Sequence, residues 1–291
     1  MPVGFGRSVS LQALPNFVVG NSGRNASAKL NELKELDDLR GKLIVSNLGL
    51  VKDPNSESHE TNLRSKKPIQ ELSLLWGPDS NEMKNSVSLV LLDNLCPHQN
   101  LRSLNVDGFL GVRFSDWIIS LTNVVDINLF NLPNCKYLPP LERLPCLRKL
   151  KILYMGSLEW IHYYEIIGDV FFPSLEQLYF CNCENFRGWE RLLGDDKNAN
   201  ETENHLSLPP FSRLSSLEIY ACPNLTCMTS FARLIEKLEL GVCSVKLMLE
   251  TCMVKHDESS PFYPLSALKS LQLWQVTGIE AMPEDWMRNL T

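Results

Sequence analysis

The chain is 291 residues long, 44% hydrophobic and 21% charged, with a formal net charge of −6. That composition is ordinary for a chain that folds around a core, and the acidic balance argues against nucleic-acid backbone binding as its main task. No apolar run approaches the ~18 residues of a membrane-spanning helix, and Met1 to Arg7 lacks the apolar stretch and small-residue cleavage site of a secretory signal.

Residues 1–20 read as the tail of a structural unit, Leu11-Gln-Ala-Leu14-Pro-Asn-Phe17-Val-Val-Gly20. Gly20 to Ser27 is a loop by composition. Leu30, Leu33, Leu36 and Leu39 then recur among charged residues, which predicts an amphipathic helix stopped by Gly41. A strand follows at Leu43 to Val45. Asp53 to Lys67 is polar, carries Pro54 and reads as a loop. The strand around Leu72 and Leu74 ends at Trp76-Gly77-Pro78. Val87 to Leu95 has helical apolar spacing, and Cys96 to Asn100 turns it into a third strand. From Trp117 to Trp160 three units follow at short, regular spacing. Residues 194–205 hold almost no apolar side chains. A segment of that kind cannot offset its ordering entropy by burial, so it is expected to be a mobile surface insertion and the first site of proteolysis. His256 to Pro261 is a second, shorter polar insertion. Neither terminus offers the polar cap that a repeat array needs. The expectation is one repeat domain over 1–291, open at both ends, as a piece of a longer protein or a truncated gene product.

One spacing organises these elements. Tyr137 to Leu153 contains Leu147-x-x-Leu150-x-Ile152, whose last two apolar residues share one face of a strand. One such unit cannot bury its own apolar side and needs a copy beside it. The middle position recurs at Leu43, Leu72, Leu104, Ile127, Leu150, Leu178, Leu217, Leu238 and Leu271, with Arg40 replacing the leading leucine of the first frame. Three residues beyond several frames stand Cys183, Cys222, Cys243 and Val276; Leu132 takes that place in the fourth, with Cys135 three further on. This L-x-x-L-x-L-x-x-N/C pattern predicts an α/β leucine-rich-repeat solenoid, a horseshoe with a parallel concave β-sheet and an irregular convex side of loops and short helices. Nine cysteines, an odd number, several at ladder positions, read as reduced thiols in a reducing compartment. The triplets at Asn25, Asn200, Asn224 and Asn289 fit the glycosylation pattern but matter only in a secreted chain.

Several stretches match more than a generic repeat. They include Leu14-Pro-Asn-Phe-Val-Val-Gly20, Glu32-Leu-Lys-Glu-Leu-Asp-Asp-Leu-Arg-Gly-Lys-Leu43, Leu72-Ser-Leu-Leu-Trp76, Leu95-Cys-Pro-His-Gln-Asn-Leu101, Leu138-Pro-Pro-Leu-Glu-Arg-Leu-Pro145, Phe172-Pro-Ser-Leu-Glu-Gln-Leu178 and Leu217-Glu-Ile-Tyr-Ala-Cys-Pro-Asn-Leu225. In these residues the chain resembles the leucine-rich-repeat region of plant disease-resistance proteins of the coiled-coil, nucleotide-binding type. It departs from them at Ser115, where the family usually has Pro, and at Glu142, where Gly is common. The resemblance implies a cytoplasmic protein-recognition module that senses pathogen effectors or a guarded host protein. It also implies packing on a nucleotide-binding switch domain that the module restrains. No G-x-x-x-x-G-K-[ST] phosphate loop occurs in the chain, so by itself it is expected to bind neither ATP nor ADP. Lys255-His256-Asp257 resembles a switch tripeptide but lies far inside the repeats and reads as coincidence. The alternative reading, a substrate-recruiting repeat domain of a ubiquitin-ligase adaptor, calls for more uniform repeats. A cell-surface ectodomain calls for paired capping cysteines.

Chemistry has few footholds. Cys181-x-Cys183 with Cys222 lacks a second pair and finger-spaced histidines, so no metal is expected. No G-x-S-x-G elbow appears, and neither catalysis nor a cofactor is expected. What remains is the concave face, where residues flanking and between the last two apolar positions of each frame point outward. Across neighbouring strands Phe130, Leu153, Tyr179 and Tyr220 are expected to form an aromatic and aliphatic strip, with Lys149 and Lys151 beside it. Glu218, Glu239 and Trp274 extend it. Exposed aromatics beside charges are what protein interfaces favour, so these nine residues are the expected partner surface. Partners are expected to be proteins, with no nucleic acid and no membrane span.

Overall fold

The computed structural model describes residues 4–20, 28–58, 60–77, 83–164, 171–192, 211–226, 235–243 and 267–276. The insertions at 194–205 and 256–261, and Asn25, Asn200 and Asn289, lie outside them. Two compact units divide the chain, Met1–Pro139 and Pro140–Thr291.

The first unit carries five parallel strands in sequence order: β1 (Asn16–Val18), β2 (Gly41–Ser46), β3 (Ile69–Leu75), β4 (Ser103–Asp107) and β5 (Asp126–Phe130). In the second, β6 (Lys149–Leu153), β8 (Gln177–Cys181), β10 (Ser216–Tyr220), β11 (Lys237–Gly241) and β12 (Ser270–Trp274) also pair in parallel. Between them β7 (Trp160–Tyr164) and β9 (Gly188–Leu192) form a separate two-stranded parallel sheet. Parallel neighbours need a long return between strands, and the segments from one frame to the next supply it.

The leucine frames set the register. Leu43 pairs with Leu72, Leu72 with Leu104 and Leu104 with Ile127. In the second unit Leu150, Leu178, Leu217, Leu238 and Leu271 align in the same way. Frame residues such as Leu104, Val106, Leu217 and Ile219 are fully buried, while the residues between them are half-exposed. This is the leucine-rich-repeat arrangement. The β1 strand was not among the frames, because Pro15 occupies the place opposite Leu43. Its carbonyl still accepts from Ile44 N–H at 3.0 Å, and Phe17 pairs with Val45 in the core.

Eight strands (β2, β4, β5, β6, β8, β10, β11 and β12) leave the sheet through a left-handed residue. Asn47, Asn131, Tyr154, Asn182, Ala221, Val242 and Gln275 all have φ between 47° and 61°, and Gly108 has φ 77°. The N–H of this residue makes one more rung to the neighbouring strand: Tyr154 to Cys181 O, Asn182 to Tyr220 O, Ala221 to Gly241 O and Val242 to Trp274 O. The turn then brings the ladder cysteine inside. Cys183 and Cys222 are buried and their thiols donate to the carbonyls of Cys181 and Tyr220 at 3.5 and 3.4 Å. Two residues on, asparagine amides tie one turn to the one before: Asn134 to Leu110 O, Asn185 to Gly156 O and Asn224 to Glu184 O. At Asn224 the triplet therefore has a structural occupation for its amide nitrogen.

The convex side departs from expectation in two places. Leu30–Glu35 is a 3-10 helix, and strict three-residue spacing is the 3-10 period rather than the α period. Gly41 does not stop it; with φ 70° it opens β2, where the register to β3 shifts. Asp53 to Lys67 is not a plain loop: it holds a short helix α1 (Pro54–Ser58) and a 3-10 turn at Leu63–Ser65. The expected second helix is α2 (Asn85–Asn94), and Asn94 Nδ2 donates to Ser58 Oγ of α1 at 3.0 Å. Ser115 N-caps the 3-10 helix Asp116–Ser120 through backbone conformation alone, and Glu142 lies within the 3-10 turn Leu141–Arg143. In the second unit Phe171, Phe172, Phe211, Trp189, Phe180 and Phe186 pack ring to ring at 4.7–5.9 Å and fill the space behind the strands.

Candidate functional site

The outward face of the second unit is built by register. Lys149, Gln177, Ser216, Lys237 and Ser270 form one row across the strands. Lys151, Tyr179, Glu218, Glu239 and Gln272 form the next, and Leu153, Cys181, Tyr220, Gly241 and Trp274 the last. Because alternate strand residues face opposite sides, eight expected site residues share this surface: Lys149, Lys151, Leu153, Tyr179, Glu218, Tyr220, Glu239 and Trp274. The ninth, Phe130, is 37% exposed at the end of β5 and belongs to the first unit, beside Asp107.

The register sets two carboxylates side by side, Glu218 opposite Glu239. Like charges at facing positions of a sheet repel. Lys237 resolves the conflict: its Nζ lies 2.6 Å from Glu218 Oε1 and 3.0 Å from Glu239 Oε1. The Tyr220 hydroxyl donates to the other Glu239 oxygen, Oε2, and Ser216 Oγ donates to Glu218 Oε1 at 3.4 Å. The Tyr220 hydroxyl and then Lys237 hold the Glu239 carboxyl below the usual range, although burial opposes them. Glu218, then Glu239, pull the Lys237 ammonium upward. Burial first, and then the bond to Glu239, push the Tyr220 phenol upward.

Gly241 makes this geometry possible. A Cβ there would lie 2.7 Å from Tyr220 Cδ1 and 3.2 Å from Cε1, so only glycine lets the ring cross β11 to reach Glu239. On its other side the same Cβ would be 3.6 Å from Trp274 Cε3, and Trp274 itself is 62% exposed. The Tyr179 and Tyr220 rings lie 6.0 Å apart at 47°. Burial, and then a bond to the Cys181 thiol, push the Tyr179 phenol upward.

Beside this network a depression of about 400 Å³ opens on the face, with Lys149, Lys151 and Leu153 on one wall, Tyr179 and Gln177 on the floor, and Ser216 and Glu218 opposite. The small Ser216 leaves the room. Lys237 and Gly241 organise the site, yet neither was among the expected partner residues. The signal for Lys237 was a lysine two residues from Glu239 on the strand that faces Glu218.

The cysteines do other work. Cys181 is on the outward face with Tyr179, whereas Cys183 is buried, so the two thiols of the C-x-C pair point to opposite sides. The seven described cysteines are free thiols. Burial pushes Cys135 up to about 12 and Cys243 up to about 11, as befits inert core thiols. Among the described residues no cluster of His, Cys, Asp and Glu is placed to hold a metal ion, and no helix is long and apolar enough to cross a membrane.

Comparison with known proteins bears on what this face belongs to. Residues 30–155 match a family model described as R13L1/DRL21 LRRs. The chain is 30% identical to Disease resistance protein RGA2 of Solanum bulbocastanum, over 96% of this chain and 27% of that protein. It is 28% identical to Putative disease resistance protein RGA1 of the same species, over 99% of this chain and 26% of that protein. Putative disease resistance RPP13-like protein 1 of Arabidopsis thaliana is 33% identical over 72% of this chain and 20% of its own length. The chain thus spans about a quarter of the length of the first of these relatives.

Proposed function

Since this chain is a leucine-rich-repeat region of the plant disease-resistance kind, we propose that it serves as a protein-recognition surface of an intracellular immune receptor. It binds rather than catalyses. The partner surface is the outward face of β6, β8, β10, β11 and β12, which engages a pathogen effector or guarded host protein, or the receptor's own nucleotide-binding domain, whose switching it restrains. The observation that supports this most is the Tyr220–Glu239–Lys237–Glu218 network with Trp274 exposed beside it. A pre-ordered polar cluster next to bared aromatic rings matches the composition of interface hot spots. Ordering these side chains in the free protein lowers the entropic cost of association.

The test is association of the purified chain with a nucleotide-binding domain from a receptor of this kind, or with a cognate effector, by pull-down and calorimetry. Tyr220→Ala and Trp274→Ala should each weaken association by more than about 1 kcal/mol, a loss that only a minority of interface residues cause, while the chain stays folded by circular dichroism. Folded variants that keep every association would refute the assignment.

A further inference from the structure

The depression on β6, β8 and β10 has an uneven distribution of charge. Its one lining carboxylate, Glu218, is already held 2.6 Å from Lys237. On the facing wall stand Lys149 and Lys151, and among the described residues no carboxylate lies within ion-pair distance of either ammonium. Both are on β6 with Leu153, at alternate positions, and therefore on one face. The lysines are half-exposed and exposed, respectively, and Leu153 is half-buried. This cationic wall belongs to a chain whose net charge is −6, so it is a local exception to the field of the whole.

We propose that this depression is a binding site for an extended acidic peptide segment of a protein partner, with the pattern acid-x-acid-x-apolar. An extended segment repeats its side-chain direction every second residue, about 6.7 Å apart. Lys149, Lys151 and Leu153 are spaced by the same period along β6. Two carboxylates two residues apart meet Lys149 and Lys151, and the apolar side chain that follows covers Leu153 and the Tyr179 ring. The exposed Gln177 side chain on the floor meets the backbone of the segment. The Glu218 carboxylate opposes the ligand only in part, because Lys237, shared with Glu239, offsets some of its charge, and Lys149 and Lys151 outweigh what is left. This inference rests on the reading of the face as a protein interface and adds the chemistry of the partner.

The probe is a fluorescein-labelled peptide, Gly-Glu-Ser-Glu-Ser-Leu-Gly, with a Gln-for-Glu and a Lys-for-Glu version, titrated against the full chain by fluorescence anisotropy. The acidic peptide should bind roughly tenfold tighter than the Gln version, the size expected of two partly exposed charge pairs acting together. The difference should shrink as salt is raised from about 50 mM to about 300 mM. Lys149→Gln with Lys151→Gln should abolish the preference, and Lys149→Glu with Lys151→Glu should turn it toward the Lys peptide, each with an unchanged melting temperature. Equal binding of the acidic and Gln peptides, or an acid preference that survives in the lysine variants, would overturn the proposal. The same variants in the partner pull-down separate the two ideas. If the acidic-segment proposal alone is wrong, Tyr220→Ala and Trp274→Ala still release the partner while the lysine variants hold it. If the face is not an interface, none of them releases it.

Discussion

Ile219 and Tyr220 are adjacent in β10 and face opposite sides of the sheet, which makes them a test with its own control. Ile219 is fully buried. Ile219→Ala removes three carbons, about 2.4 kcal/mol at roughly 0.8 kcal/mol for each buried methyl or methylene. A residual cavity of roughly 60 Å³ adds about 1.4 kcal/mol at ~24 cal/mol per Å³, so the loss should be about 3–4 kcal/mol. Register alone would make Tyr220→Ala nearly neutral, as for most surface positions. The structure raises that figure. The ring pairs with Tyr179, worth about 0.5–1.5 kcal/mol, and its hydroxyl donates to Glu239. That bond counts for less than a fully buried one, because Tyr220 is only half-buried and Lys237 still holds Glu239 when the hydroxyl is lost. Tyr220→Ala should therefore cost about 1–2 kcal/mol, with Tyr220→Phe at about 0.5–1 kcal/mol isolating the hydroxyl. Urea unfolding followed by both far-ultraviolet circular dichroism and tryptophan fluorescence measures all three, two probes being needed because repeat arrays can lose cooperativity. Equal losses from Ile219→Ala and Tyr220→Ala would mean that the strand is one residue out of register. A Tyr220→Phe variant identical to the parent would mean that the hydroxyl bond contributes nothing.

Other perturbations test other parts of the fold. The folded-state pKa of Glu239 is depressed, so its contribution is present above the unfolded value of about 4.3 and is lost as pH falls through the folded value; Glu239→Gln should flatten the urea stability profile in that acidic window, and an unchanged profile would count against the network. Val242 is β-branched with φ 50° and 36% exposed, so Val242→Asn should stabilise the chain by about 1 kcal/mol, since asparagine accepts the left-handed region at less cost; a lower melting temperature would contradict this. Lys66 is buried, and its Nζ lies 3.0 Å from Leu36 O and 3.1 Å from Asp37 Oδ1. Lys66→Ala should cost about 3 kcal/mol, mainly for the buried stem, and Lys66→Met should recover most of that loss in the same unfolding assay.

The sequence alone determined the repeat register, and with it which face of each strand is core. Nine leucine frames were enough, because a side-chain period of two leaves only one way to bury every frame residue at once. The resemblance to disease-resistance repeats was likewise legible, carried by local stretches such as Leu217 to Leu225. The sequence did not expose β1, since Pro15 interrupts its frame while its backbone still accepts a rung from β2. Nor did it expose the pairing of β7 with β9, Trp160 with Gly188, which follows the same 28-residue offset as Leu150 and Leu178 but without a shared leucine frame. The amphipathic helix at Leu30–Glu35 was legible as a spacing of three, which is the 3-10 period that the segment adopts. Within the candidate site, the column positions of Lys149, Tyr179 and Trp274 followed from counting residues. Only the tertiary structure decided that Lys237 bridges two carboxylates, that Gly241 clears the path of the Tyr220 ring, and that Lys149 and Lys151 face a depression whose lining carboxylate is already paired with Lys237. Those outcomes depend on side-chain reach across several strands and on which groups are already satisfied, and a one-dimensional pattern does not contain distances of that kind.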